Sequence, residues 1–472
     1  MVLTRGRLLE IRDACFADDL SIEDAMLAWD EEDVVAYFES NGAVRPMGNS
    51  AVRHMGEETG GVRSVYCISD IHVEHKKNLA WLDSLPDGTG GARRAGSVLL
   101  CGGDVAVRRD KLRSALRTMV RAYGTVFFVP GNHDVWLPEK GELDATDSLA
   151  KWRDLLVMCD EEGVHTRPRR LQTAGGRGLW VLPIASWHHR SWDREPPLRA
   201  PPGHSFRVDP LSRHASSDDG YTRWPCGLEH GSEELAEALD ALNDERVGPD
   251  GLTFGDAVAA IDAERDAAAA AGDPPPLVLT MSHMLPRQEL VPEKRHLFMP
   301  TLHRIVGSDF LRSRVGAARP DVHYFGHTHF AWDQTLDDGV RYISWPLGSP
   351  QEQTRRVPHS PSPDACRAWL PLRLWDAAAG WRGFTPDCYF SRLYTTKGRH
   401  PERTEMAQHT AAIYCPSAPI DPMIPLEDFE RINADDLNAA RESMRNQLER
   451  NLLVTGRLRE ELRAVPNCYD YS

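Results

Sequence analysis

One local pattern constrains this chain more than any other. Short apolar or β-branched runs stop abruptly on glycine, aspartate or histidine. SVYCIS at 64–69 is followed by Asp70 and His72, and VLLC at 98–101 by Gly-Gly-Asp104. TVFFV at 125–129 leads into Pro-Gly-Asn132-His133-Asp134, LVLTM at 277–281 into Ser-His283, and HYF at 323–325 into Gly-His327-Thr-His329. Runs this short with no polar alternation predict strands covered on both faces. Further strands are expected at 179–184 and 341–344. Helical patterns lie between them, at 232–243 with Leu235, Leu239 and Leu242 on one side, and at 254–271. Strands alternating with helices imply a layered α/β fold, and such folds place their sites at strand ends.

The chain divides into three parts. Residues 1–60 predict a helical extension, with Ser21 able to cap a helix over 21–38 carrying Ile22, Met26 and Trp29, followed by a glycine-rich linker. Residues 61–350 carry the strand pattern, interrupted by a Pro- and Arg-rich insertion at 190–225 that reads as a surface loop or lid. Residues 351–472 begin with the polar stretch RRVPHSPSPD at 355–364 and end in a long helix with Leu437, Met444, Leu448 and Leu452 as a stripe.

Charge narrows the function. Lys plus Arg number 55 and Asp plus Glu 70, a balance of −15, which disfavours nucleic acid and anionic membrane as partners. No apolar run approaches the roughly 18 residues a membrane span needs. The nine cysteines are scattered and contain no C-x-x-C pair, which implies a reducing compartment. Cys67 and Cys101 are expected in the core. The N-terminus lacks an apolar signal region, so an intracellular, cytoplasmic protein is expected. Oligomeric state is left open.

The five blocks bring together Asp70, Asp104, the amide of Asn132 and histidines 72, 133, 283, 327 and 329. Asp70 and His72 are two apart, as are His327 and His329, and in an extended chain such pairs point to one side. Gly103, Gly131 and Gly326 allow sharp turns next to the polar residues. Mixed oxygen and imidazole donors without thiolate suit Mn, Fe or Zn better than Mg or Ca. Seven ligands for two ions require one to be shared, a role that suits a carboxylate. Two divalent ions against two carboxylates leave a local cation that attracts phosphate despite the acidic chain.

Taken together, D-x-H, GD, GNHD, H and GHxH resemble the signature of the calcineurin-like metallophosphoesterase superfamily over residues 62–350. The stretches SWHHRSWDRE, HMLPRQELVPEKR and GHTHFAWD also look similar to a plant and algal branch of it. The resemblance implies a four-layer α/β/β/α sandwich with helical extensions and two divalent metal ions. Asp70, His72, Asp104 and His329 would hold one ion, and Asp104, Asn132, His283 and His327 the other. It further implies in-line attack by a metal-bridging hydroxide on a small phosphoester or phosphoprotein, with His133 at the scissile bond and Asp134 orienting it. Monoester, diester and phosphoprotein are not separated at this point.

Arg287, Lys294 and Arg295 are candidate phosphate contacts, with Arg287 and Arg295 preferred; the alternative is a solvated basic turn. His188, His189, Trp187 and Trp192 either line the pocket mouth or pack as core, and Arg223 either covers the site or lies on the surface. The competing function is a scaffold that keeps the fold without turnover. An intact ligand set with His133 in place argues against it.

Overall fold

Central strands of a parallel sheet have no wet face, and their sequences lose polar alternation accordingly. In a computed structural model of the chain, β1 (Ser64–Ile68), β2 (Arg94–Cys101) and β3 (Tyr123–Phe128) run parallel, with Val98 to Cys101 fully buried and Cys67 and Cys101 in the core. The structure describes residues 61–85, 94–137, 147–206, 217–246, 251–297, 299–354, 371–385, 388–407 and 414–415. The helix expected at 21–38, the linker after it, the stretch at 355–364 and the C-terminal helix lie outside these residues.

A second sheet takes β4 (Arg169–Gln172), β5 (Gly178–Pro183), β6 (Leu277–Met281), β7 (Val322–Phe325), β8 (Trp332–Thr335) and β9 (Arg341–Ser344) in the order β4-β5-β6-β7-β9-β8. Its inner strands are parallel, and β4 and β8 close the edges antiparallel. The chain then returns to the first sheet with β10 (Leu372–Asp376) and β11 (Gly380–Trp381), giving the order β11-β10-β1-β2-β3. This return corrects the expectation that the layered unit ends at 350. β1 is flanked by β2 on one side only, and β10 pairs along its other edge, satisfying backbone groups that would otherwise be exposed. All seven expected strands form. Those not anticipated are edge or short strands such as β4, whose sequence RRLQ is mostly exposed and carries no apolar signal.

Helices cover the outer faces. α1 (Lys76–Asp83) precedes β2, and α2 (Arg109–Ala122) lies on β3 with Leu112, Ala115, Leu116, Met119 and Ala122 buried on one stripe. α3 (Ser148–Glu161) starts on Asp147, whose side chain accepts from the Ala150 N–H at 2.8 Å. The insertion contributes α4 (Ser217–Tyr221), and α5 (Glu233–Ala241) is capped by Ser232, whose side chain accepts from the Leu235 N–H. α6 (Phe254–Ala271) has the expected bounds: Thr253 and Asp256 form a reciprocal capping box, and Gly272 takes the left-handed stop at φ 72°. α6 packs on β5 and α7 (Asp309–Ala318) on β6, followed by α8 (Pro350–Thr354) and α9 (Tyr389–Lys397), which packs on β8. The layers are therefore helix, sheet, sheet, helix.

The sheets press together where both deliver polar loops. An added Cβ at Gly102, just past β2, would lie 2.7 Å from Tyr324 Cε1 on β7, so only glycine permits the approach. Among the described residues, no helix is long and apolar enough to cross a membrane.

Candidate metal centre

Backbone strain marks the site before any side chain is considered. Six non-glycine residues among those described have positive φ: Asp70 (53°), His72 (46°), Asp104 (53°), His327 (74°), His329 (56°) and Arg319 (47°). Arg319 caps the C-terminus of α7, where this conformation is common. The other five all belong to the polar blocks. Each costs on the order of 1–3 kcal/mol and persists only where the surroundings enforce it. The extended-chain argument for the two i, i+2 pairs is thereby corrected. The strands stop at Ile68 and Phe325, and left-handed turns beyond them bring each pair together. Glycines make room: a Cβ on Gly131 would collide with Asp104 Oδ1, and Gly103, at φ 89°, leaves 2.6 Å between such a Cβ and His283 Nδ1.

The side chains converge in two adjoining nests. In one, His329 Nε2 lies 3.4 Å from Asp70 Oδ1 and 3.1 Å from His72 Nε2. In the other, Asn132 Oδ1 lies 2.9 Å from both His283 Nε2 and His327 Nδ1, and His283 Nε2 is 3.4 Å from Asp104 Oδ2. Three groups within these nests can each hold an ion: Asp70 with His72 and His329, His72 with Asp104 and His133, and Asp104 with His283 and His327. Asp104 belongs to two of them.

The orientation of the imidazoles tests whether metal fits. His283 Nδ1 faces the Gly102 carbonyl at 2.7 Å, His327 Nε2 faces the Ile305 carbonyl at 2.9 Å, and His329 Nδ1 faces Glu352 Oε2 at 2.8 Å. A carbonyl or carboxylate only accepts, so each of these nitrogens carries its proton outward. In a neutral ring the other nitrogen then aims a lone pair inward, at oxygens and at other ring nitrogens. Burial, reinforced by His133 and His329, takes His72 down to about 3, and burial with His283 takes His327 down to about 4. Both therefore remain neutral donors. Burial also opposes charge on His283, but the Asp104 carboxylate outweighs it and raises the ring to about 9. Among the described residues, Asp70 and Asp104 are buried with histidines as their ion-pair partners and without Lys or Arg. Ring nitrogens turned inward around two such carboxylates, held in charge balance by protons on His283 and His329, form a site where a cation replaces those protons, and the donor set fits divalent metal.

Residues 63–331 match the calcineurin-like phosphoesterase family. The chain belongs to that family. It is 32% identical over 136 residues to the [acyl-carrier-protein] phosphodiesterase PptH of Mycobacterium tuberculosis, a stretch covering 27% of this chain and 39% of that protein's length. The solved phosphopantetheinyl hydrolase from Mycobacterium tuberculosis is similar at 23% identity and a TM-score of 0.41, over 69% of this chain and all of that one. A dimetal phosphatase from Danio rerio is similar at 15% identity and a TM-score of 0.28, over 60% of this chain and 87% of that one. These relatives give no support to a plant and algal branch.

For a calcineurin-like phosphoesterase, two further expectations need correction. The Asp134 carboxylate does not touch the His133 ring. It accepts from the backbone N–H groups of Asp104, Val105, Ala106 and Gly131 at 2.8–3.0 Å, so it clamps the loops after β2 and β3 together. Burial, with the neighbouring Asp104 charge, pushes its carboxyl up to about 7. His133 is oriented by Trp136 instead, stacked at 3.7 Å between ring centres and 26° between planes, with Nε2 3.9 Å from Asp104 Oδ2. Arg287 is not available for phosphate. It is buried and bonded to Glu289, Asp337 and Asp338 at 2.7–3.2 Å, because the 284–291 segment packs against the β8–β9 turn.

Other candidates divide between core and surface. Lys294 is buried in a 2.6 Å ion pair with Asp193. Arg295 donates from Nε to His296 at 3.3 Å, and its carbonyl accepts from Ala407. Trp187 and Trp192 are core residues, and His189 accepts from the Asp309 N–H at the start of α7. His188 is buried with Nε2 3.8 Å from Asp218, while Arg223 is exposed and its backbone pairs with Ser148.

Sequence reasoning missed Glu352, which holds His329 from outside the nest. Burial raises its carboxyl, but His329 outweighs that and holds it well below the usual range. Ser349 N–H steadies the same oxygen at 2.7 Å. Its only sequence signal is position, an acidic residue just after the last strand of the second sheet.

Proposed function

We propose that this chain is a dimetal phosphoester hydrolase and that Asp70, His72, Asp104, Asn132, His283, His327 and His329 are its ligands, with Asp104 shared. The observation that carries the reading is the set of three imidazoles whose outer nitrogens are held by acceptors, so that a cation displacing the inward protons would meet three ring nitrogens around two buried carboxylates. Two divalent ions held there supply Lewis acidity, polarising phosphoryl oxygens and acidifying water near neutral pH. The protein's own part is to fix the donors on strained turns and to bring His133 Nε2 to the mouth. His133 is partly exposed, with 28% of its side chain accessible, which suits transfer of an Nε2 proton to the departing oxygen. Glu352 sets the ring of His329, and Glu352→Ala is expected to weaken Mn2+ binding by roughly 10–100-fold. Equilibrium dialysis reads this, and unchanged affinity would remove Glu352 from the site.

The reading favours a phosphodiester over a monoester. A monoester presents a dianion that gains from extra cationic contacts, whereas Arg287 and Lys294, the nearest cations in sequence to His283, are spent in ion pairs with carboxylates. A diester carries one charge fewer. The relative named a phosphodiesterase agrees with this preference. Arg295 remains the proposed cationic contact to substrate. With Mn2+ supplied, bis-p-nitrophenyl phosphate is expected to turn over at least about tenfold faster, in kcat/KM, than p-nitrophenyl phosphate, a difference of about 1.4 kcal/mol. The reverse order would overturn the diester assignment. Two bound ions without turnover of either ester would favour a scaffold.

A further inference from the structure

The 190–225 insertion reaches the metal centre through one carboxylate. Asp218, on α4, is buried, and its Oδ1 accepts from Asn132 Nδ2 at 2.8 Å and from Trp136 Nε1 at 2.6 Å. The segment around it is docked firmly. Leu137 N–H donates to the Tyr221 carbonyl at 2.8 Å, Ser148 N–H donates to the Arg223 carbonyl at 2.7 Å, and Tyr221 packs on Trp136 with ring centres 4.7 Å apart. This part of the insertion is structural support, whereas the sequence suggested a loop or lid.

We infer that Asp218 is a positioning residue that selects the orientation of the Asn132 amide and steadies the Trp136 platform beneath His133. The inference rests on the dimetal reading above. An asparagine amide has two nearly isosteric orientations about its last bond. One aims Oδ1 at His283 and His327, where it can serve as a ligand. The flipped one aims an N–H2 group there and cannot bind metal. A carboxylate only accepts, so Asp218 bonds Nδ2 in the first orientation and repels Oδ1 in the second. The same oxygen fixes the indole on which the His133 ring lies. Residue 218 thus acts on both the amide donor and the proton donor without touching substrate.

The test is a Mn2+ titration of the full chain by calorimetry, with thermal unfolding recorded for each protein. Wild type is expected to bind two ions. Asp218→Ala is expected to weaken one of them by at least about tenfold, while Asp218→Asn, which can turn a carbonyl oxygen toward both donors, stays within about threefold. Should the alanine variant fail to fold, Asp218→Ser reads the same loss, because its shorter hydroxyl cannot reach both donors. Wild type that fails to bind two ions overturns the dimetal reading itself. Two ions in wild type with unchanged affinity in the folded alanine or serine variant overturns the role of Asp218, as does an asparagine variant as weak as alanine.

Discussion

Asp104→Ala is expected to lose two-ion binding and to lower diester turnover by about 10,000-fold or more, the scale of removing a member shared by a catalytic unit. The carboxylate lies where the nests meet. Oδ1 accepts from the His133 N–H at 2.9 Å, and Oδ2 faces His283 Nε2 at 3.4 Å and His133 Nε2 at 3.9 Å. A Cβ at residue 131 would collide with Oδ1, so glycine there makes room for the carboxylate. Alanine would remove the carboxylate common to two of the three ion-holding groups and leave the histidines around an uncharged gap. Metal content after reconstitution, measured by mass spectrometry, checks this directly. A variant that still carries two tightly held ions would remove Asp104 from its bridging position.

His133→Ala is expected to keep both ions while kcat falls by roughly 100- to 10,000-fold, the range for loss of a general acid. The contrast with Asp104 is the useful part. His133 also lies in a group with His72 and Asp104 that could itself hold an ion, so loss of metal in the variant would make it a ligand instead. Leaving group separates the roles further. An alkoxide needs a proton as it departs and a p-nitrophenolate hardly does, so the defect should be larger for an alkyl diester. Equal defects for both esters would overturn proton donation from Nε2.

Much of this site was legible because its blocks are local. A strand end, a glycine and a polar residue lie within a few positions of one another, and the strand assignment follows from the same runs. The seven proposed ligands and His133 were identified from such blocks, and the structure brings all eight to one place. The route was partly mistaken: the i, i+2 pairs converge through left-handed turns, and nothing in Asp70 or His72 as residue types announces a positive φ. Asp134 shows a second kind of error. Its adjacency to His133 suggested contact, but the carboxylate turns away to four amides on two loops.

Partners distant in sequence were invisible. Asn132 meets Asp218 86 residues later, and Arg287 meets Asp337 at a separation of 50. Sequence alone determined the alternation of strands and helices, the nine polar residues at strand ends and the oxygen and imidazole character of the donors. Those properties depend on residue identity and near neighbours. Only the tertiary structure decided that Glu352 sets His329, that Asp218 and Trp136 support Asn132 and His133, that Arg287 is spent on carboxylates, and that β10 completes the first sheet. Each is a choice among many polar groups or strand edges, made by which elements the two packed sheets bring within hydrogen-bonding distance.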